Sequence, residues 1–232
     1  MKKLLLLLFA FNLFAQIALP QSTKQLLLVT AEDFDSDQAL MQAYERSDKQ
    51  WQKVFAPIRV NLGRNGLGWG EGMIAFARRD DEPVKHEGDG RSPAGLFSLD
   101  LFFGYEEEAF SFDYKRVDAS TLCIDESGSA QYNQIITLKK NEEASQRFSS
   151  FEYMQREDDL YRLGIVVGHN KRALKARGSC IFIHIEKAKG SATSGCTSLD
   201  EAQLMRLMRW LDRTKAPLLL QLPARYLHEG FN

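Results

Sequence analysis

Two hundred and thirty-two residues, 44% hydrophobic and 26% charged, are enough for one globular domain with a substantial core. Disorder is excluded by 15 Phe, 7 Tyr and 3 Trp, whose surface must be buried, and a disulfide-dense mini-scaffold by only 3 Cys. Thirty basic residues against 31 acidic ones leave a net charge of −1, so no basic field favours nucleic acid.

The chain opens on Met1-Lys2-Lys3, a short positive segment, then an apolar run from Leu4 to Phe14 broken only by Asn12. That run falls short of the roughly 20 apolar residues that cross a bilayer. With small Ala15 and Ala18 behind it as cleavage points, it reads as a secretory signal peptide ending near residue 18. No Cys follows the run to carry a lipid anchor, and no later stretch is apolar enough to span. The expected mature chain, 19–232, is a soluble exported domain with no stable membrane span. Loss of Lys2 and Lys3 from the 30 basic residues, against 31 acidic ones, takes its net charge to −3.

The mature chain reads mostly as strand. Gln25–Thr30 is an apolar run ending in a polar cluster, fit for a buried strand. Ala39–Arg46 and Trp51–Val60 flank the polar turn Ser47-Asp48-Lys49-Gln50 and predict a hairpin. A glycine-dense loop follows, Gly63 to Gly72, without the spacing of a dinucleotide-binding turn. A second turn-rich segment, His86 to Gly95, precedes Leu96-Phe97-Ser98-Leu99. Further strands are expected at Gln134–Leu138, Leu160–Val167, Cys180–Ile185 and Leu218–Leu222. One helix is well signalled, over Leu199–Arg213. Leu204, Leu207, Met208 and Leu211 form its apolar stripe, and Ser198 with Glu201 forms a capping box. No Pro/Ser-rich linker divides the chain, so the expectation is one mostly-β domain.

The chemistry concentrates between His169 and Cys196. In the strand Cys180–Ile185, Cys180, Phe182 and His184 share one face while the three Ile share the other. Downstream, Thr193-Ser194-Gly195-Cys196-Thr197 is a small-residue turn feeding the expected helix. A Cys just before a helix start would sit at the positive end of the macrodipole, near free backbone N–H groups. Both features favour a thiolate and a site for an oxyanion, with Gly195 admitting a substrate to the backbone. Cys196 is therefore either an activated nucleophile with His184 as its base, or an inert buried thiol. A zinc site is disfavoured, because His86, His169, His184 and Cys196 are scattered without a CxxC or HxxxH pair. Cys123 and Cys180 are either a disulfide or two buried thiols.

An apolar strand ending in His, a short glycine-containing loop, then Ser/Thr-x-Gly-Cys resembles the L,D-transpeptidase catalytic domain (YkuD-like) family. The resemblance covers nearly the whole mature chain. Gly63-Arg64-Asn65-Gly66 and Glu87-Gly88-Asp89-Gly90-Arg91-Ser92-Pro93-Ala94-Gly95 are similar to its early glycine-rich signatures. Tyr132-Asn133, Gly168-His169-Asn170 and Gly178 through His184 resemble further blocks of one exported branch. The commonest motif reads Ser-His-Gly-Cys-x-Arg; here Ser194 replaces the His and Ser198 the Arg, and the His-to-Cys loop is short.

That resemblance implies a β-sandwich with a few helices, one following the catalytic Cys, in a periplasmic or extracellular, wall-associated protein. It places the nucleophile on Cys196 and proton transfer on His184, with an oxyanion held by backbone N–H groups of Gly195 and Cys196. His169, Asn170, Ser194 and Thr197 become candidates for substrate contact. The implied substrates are peptidoglycan tetrapeptide stems, with a second stem or a wall-anchored protein as acceptor, and no metal or organic cofactor. Attack by water instead would make the same site an L,D-carboxypeptidase. The rival from another class is an inactive wall-binding module.

Overall fold

The expected strand at Gln25 is the first element, β1 (Gln25–Ala31), its apolar run almost wholly buried. The structure, a computed structural model, describes residues 17–48, 50–227 and 231, so the signal-peptide run Leu4–Phe14 lies outside the described residues. Then come β2 (Gln38–Ser47), β3 (Gln50–Lys53), β4 (Ile58–Asn61), β5 (Leu67–Trp69), β6 (Ser92–Gly104) and β7 (Tyr114–Arg116). A smaller group follows: β8 (Thr121–Cys123), β9 (Ile135–Thr137), α1 (Ala144–Arg147) and β10 (Glu152–Tyr153). The chain then returns through β11 (Leu163–Val167), β12 (Phe182–Ile185), β13 (Thr197–Leu199), α2 (Glu201–Trp210) and β14 (Leu218–Pro223).

The main sheet closes on itself. Strands run β1-β14-β6-β11-β12-β13-β4-β2, and β2 pairs back onto β1, so these eight form a ring. Among the described residues, closure leaves the eight strands of the ring without a free edge. Two pairings in the ring are parallel, β1 with β14 and β12 with β13. The first joins sequence ends almost two hundred residues apart, a link that Ile17 and Phe231 extend with a further bridge. One large apolar cluster, including Leu26, Met41, Leu96, Phe97, Phe102 and Ile183, forms the main core. The fold is the mostly-β single domain expected. Among the described residues, no helix is long and apolar enough to cross a membrane.

Local differences from the expected elements have local causes. The hairpin forms, with Ser47 opposite Gln50 and Asp48 in the left-handed region at φ +48°. Trp51–Val60 is two strands, not one, because Pro57 interrupts it and cannot donate to a ladder. Strand β12 starts at Phe182 because Cys180 adopts φ +54°. The helix is capped by Asp200, whose carboxylate accepts from the Gln203 N–H at 3.2 Å, not by Ser198. Ser198 is buried in β13 and accepts from the Asn61 side chain at 3.2 Å.

The apolar stripe of α2 does face inward. Leu204, Leu207, Met208 and Leu211 are all in the main core. Leu207→Ala should therefore lower the unfolding free energy by roughly 2–5 kcal/mol, read as a shift in urea midpoint at unchanged slope. A loss under about 0.5 kcal/mol would mean that the stripe is not packed as described.

Candidate active site

The outer face of β12 builds the site. Ile181 and Ile183 point into the main core, while Cys180 and Phe182 join a second cluster with Phe103, Tyr161 and Cys196. In that cluster Cys123 and Cys180 form a disulfide, with 6.0 Å between their Cα atoms, and Cys196 is left as a free, buried thiol. The bridge ties β8, and the small sheet β10-β8-β9 with it, to the segment entering β12.

Parallel pairing of β12 with β13 sets Ile183 opposite Thr197 and His184 opposite Ser198. One step back in the same register, Cys196 lies against Phe182, whose N–H donates to Sγ at 3.3 Å. The thiol donates in turn to the Cys180 carbonyl at 3.5 Å. Because side chains alternate along a strand, Cys196 and His184 emerge on one face as diagonal neighbours. The pair is brought together by strand register. No hydrogen bond joins the two directly among the described residues. Instead His184 Nδ1 donates to the Ile185 carbonyl at 2.8 Å, which leaves Nε2 as the bare nitrogen. Tyr161 packs edge-on against the imidazole, ring centroids 5.2 Å apart, and donates its hydroxyl to Glu152 at 2.7 Å.

The turn before Cys196 is held from two sides. Ser92 Oγ donates to the Cys196 carbonyl at 2.8 Å and accepts from the Gly63 N–H at 2.8 Å. Thr193 Oγ1 donates to the same carbonyl at 2.6 Å and accepts from the Gly195 N–H at 3.0 Å. The Gly195 N–H is thereby occupied, and the Cys196 N–H is the donor left without a partner among the described residues. Gly195 has φ +150°, and a Cβ there would come within 3.1 Å of the Arg91 carbonyl, so only glycine fits.

Electrostatics differ from the expectation of a helix-activated thiolate. Strand β13 and Asp200 separate Cys196 from α2, so the macrodipole does not act on it directly. Burial pushes the Cys196 thiol up to about 12, and the Glu152 carboxyl adds to the rise. The Phe182 N–H, Lys85 and Tyr161 oppose it. Burial also holds His184 down to about 4, against the Ile185 carbonyl. At neutral pH both partners are uncharged.

The remaining candidates separate into contact and scaffold. Ser194 is exposed and accepts from Arg64 at 3.3 Å, beside the site's rim. Thr197 points the other way, donating to Gln221 on β14 at 2.9 Å. Asn170 spends its amide inside its own loop, donating to Leu174 and Gly178 carbonyls at 3.0 Å each and accepting from the Leu174 N–H. His169 is 2% exposed; Nε2 donates to the Arg177 carbonyl at 2.9 Å, Phe97 packs against the ring, and Nδ1 is buried without a partner.

Three contributors escape the sequence reading, Lys85, Glu152 and Tyr161, while Ser92 stands in one of the glycine-rich blocks without an assigned role. Lys85 is only 3% exposed and donates to Asp89 and to the His86 carbonyl. Its Nζ lies 3.7 Å from where a Gly195 Cβ would be, and its stem passes Gly178 and His169. The signal available was its place at the head of Lys85-His86-Glu87-Gly88-Asp89-Gly90. A cavity of about 920 Å³ beside Ala18, Lys24 and Arg46 shares no residue with this site.

No protein-family model matches the chain, and no curated protein does. Two solved structures are similar in fold. The helical cell shape determining protein Pgp2 from Campylobacter jejuni has a TM-score of 0.45 and 14% identity, covering 85% of this chain and 47% of that one. Bd1075 from Bdellovibrio bacteriovorus has a TM-score of 0.41 and 15% identity, covering 89% and 51%. The chain thus spans about half the length of these solved chains.

The two buried imidazoles make a prediction about acid. Burial holds His169, like His184, down to about 4 from an ordinary 6.5. The unfolded chain therefore takes up these protons first, and the associated stability is complete above pH 6.5 and lost as pH falls towards 4. Each histidine accounts for roughly 3 kcal/mol of that loss by pH 4. In His169→Gln, the decline of stability between pH 6.5 and 4, followed by urea unfolding, should be shallower by about one proton. An unchanged slope would contradict the buried neutral state of His169.

Proposed function

We propose that the protein is an exported cysteine acyltransferase acting on peptidoglycan stem peptides, with Cys196 as nucleophile and His184 as its proton acceptor. One observation carries the reading: three of the separated blocks that resemble the L,D-transpeptidase family, those around Gly63, Ser92 and Cys180, meet at the turn and sulfur of Cys196. Ser92, held by the Gly63 N–H, donates to the Cys196 carbonyl, Arg64 pairs with the Thr193-Ser194 turn, and the Phe182 N–H and Cys180 carbonyl hold the sulfur. Residues far apart in sequence are spent on positioning one thiol and one imidazole.

The proposed sequence of steps follows from the tautomer. His184 Nε2 takes the thiol proton as Sγ attacks the carbonyl of the diamino acid before the terminal D-alanine. Coupling the two events avoids a free thiolate, which burial makes costly. The Cys196 N–H receives the tetrahedral oxyanion, an interaction worth roughly 3 kcal/mol where it has been removed from comparable sites. Collapse breaks the peptide C–N bond; the imidazolium gives its proton to the leaving amine, and a thioester remains on Cys196. An acceptor amine completes transpeptidation, while water completes carboxypeptidation, and in either case His184 takes the acceptor's proton and returns it to sulfur. The exported, wall-associated setting belongs to the same proposal.

A second reading is favoured by one fact. Burial leaves thiol and imidazole both neutral, as an inactive stem-binding module would also have them. Incubation with purified disaccharide-tetrapeptide, followed by mass analysis, separates the two. Release of D-alanine is expected from the wild type, none from Cys196→Ala, and a rate lowered about 10²- to 10⁴-fold from His184→Ala. Stem binding without release by the wild type would favour the module, and release by Cys196→Ala would refute the nucleophile.

A further inference from the structure

We propose that Lys85 is the cation that makes the buried Cys196 thiol reactive, with Asp89 setting how much of its charge the sulfur feels. The proposal rests on the reading of Cys196 as nucleophile and adds a positioning residue to that site. Lys85 is almost fully buried, an arrangement costly for an ammonium unless it is paired. It has three donors, of which Asp89 Oδ1 and the His86 carbonyl take two, leaving a third. Two glycines make room beside it: a Cβ on Gly178 would meet its Cε at 3.0 Å, and one on Gly195 would meet Nζ at 3.7 Å. The ammonium therefore sits next to the turn that carries Cys196.

The other charged and titratable groups around the thiol make this cation informative. Glu152 on β10 and Tyr161 before β11 face the sulfur, with Glu152 disfavouring its ionisation. Glu87, bound by Tyr132 and Ser179, adds negative potential at Glu152, as does Asp125. His184 on β12 is held neutral by burial, and so is His169, beside the lysine stem. Lys85 is the lysine among the groups that favour the charged sulfur, and the Phe182 N–H and Tyr161 supply only dipoles. When the thiol proton moves to His184 Nε2, Lys85 faces the negative charge that appears on sulfur. Asp89, fixed by the His86 and Arg91 N–H groups, tempers that field.

Alkylation of the folded full-length chain tests this without any wall substrate. Cys196 is treated at pH 7.5 with neutral iodoacetamide and, separately, with anionic iodoacetate, and modification is counted on the Cys196 peptide. In Lys85→Met the iodoacetamide rate should fall about tenfold or more, the size expected when an opposite charge is lost nearby. The iodoacetate rate should fall further, so the iodoacetate-to-iodoacetamide ratio drops several-fold. Simple loosening of the fold would expose the buried thiol and raise both rates together, leaving the ratio unchanged. In Asp89→Asn the ammonium loses its counter-charge, and the ratio should rise; this variant decides the matter if Lys85→Met does not fold. An unchanged ratio in the folded variants, or a faster iodoacetamide reaction in Lys85→Met, overturns the proposal. Because alkylation needs no acyl donor, absence of turnover by the wild type would count against the acyltransferase reading and leave this result standing.

Discussion

Everything in the site depends on the parallel pairing of β12 with β13. That register puts Phe182 against Cys196 and His184 against Ser198, so thiol and imidazole share a face by backbone geometry. A slip of one residue would turn Cys196 into the main core and bring Thr197 to the site. Anchors on both sides resist such a slip. Thr197 is fixed to Gln221 of β14, and Gln221 to the Pro93 carbonyl of β6. The closed ring thus transmits order from its far strands to one sulfur atom. The Cys123–Cys180 disulfide adds a wall, holding the small sheet that carries Glu152 against the same cluster.

Thiol and imidazole are both buried, and that sets the chemical character of the site. Burial raises the thiol and lowers the imidazole, so the resting pair stores no charge separation. In such surroundings each fixed dipole and charge acts more strongly than in water. In the proposed acyl transfer, the Phe182 N–H at sulfur, the Cys196 N–H (unpartnered among the described residues) and the Lys85 ammonium would meet the negative charge that develops. Preorganisation replaces the helix dipole that the sequence pattern had put in that place.

What was legible in the sequence was whatever local periodicity encodes. The alternation Cys180 to Ile185 assigned both faces of β12 correctly, and the Leu204, Leu207, Met208 stripe found its core. Two polar residues on either side of Leu199, Ser198 and Asp200, both have capping chemistry. The three-residue β13 is too short to declare itself by alternation, so the cap was misplaced and the helix brought up to Cys196. Long-range pairing was not legible at all: nothing near Gln25 says that it runs parallel to Leu218. Lys85 was hidden for a related reason. A lone lysine in a polar glycine-rich loop reads as solvated, and only the fold shows Gly178 and Gly195, from two other segments, closing around its side chain. Tyr161 and Glu152 lay outside any motif and met at the site through the disulfide-tethered sheet.

The central claim is that the converged blocks exist to make Cys196 an acyl carrier. It is tested most directly by intact-mass analysis of the protein mixed with a tetrapeptide donor, without acceptor amine, and quenched in acid within seconds. The account predicts an adduct equal to the donor less D-alanine, mapping to the Cys196 peptide and lost on treatment with hydroxylamine, as a thioester would be. D-alanine release with no adduct there, or with an adduct on another residue, would contradict it.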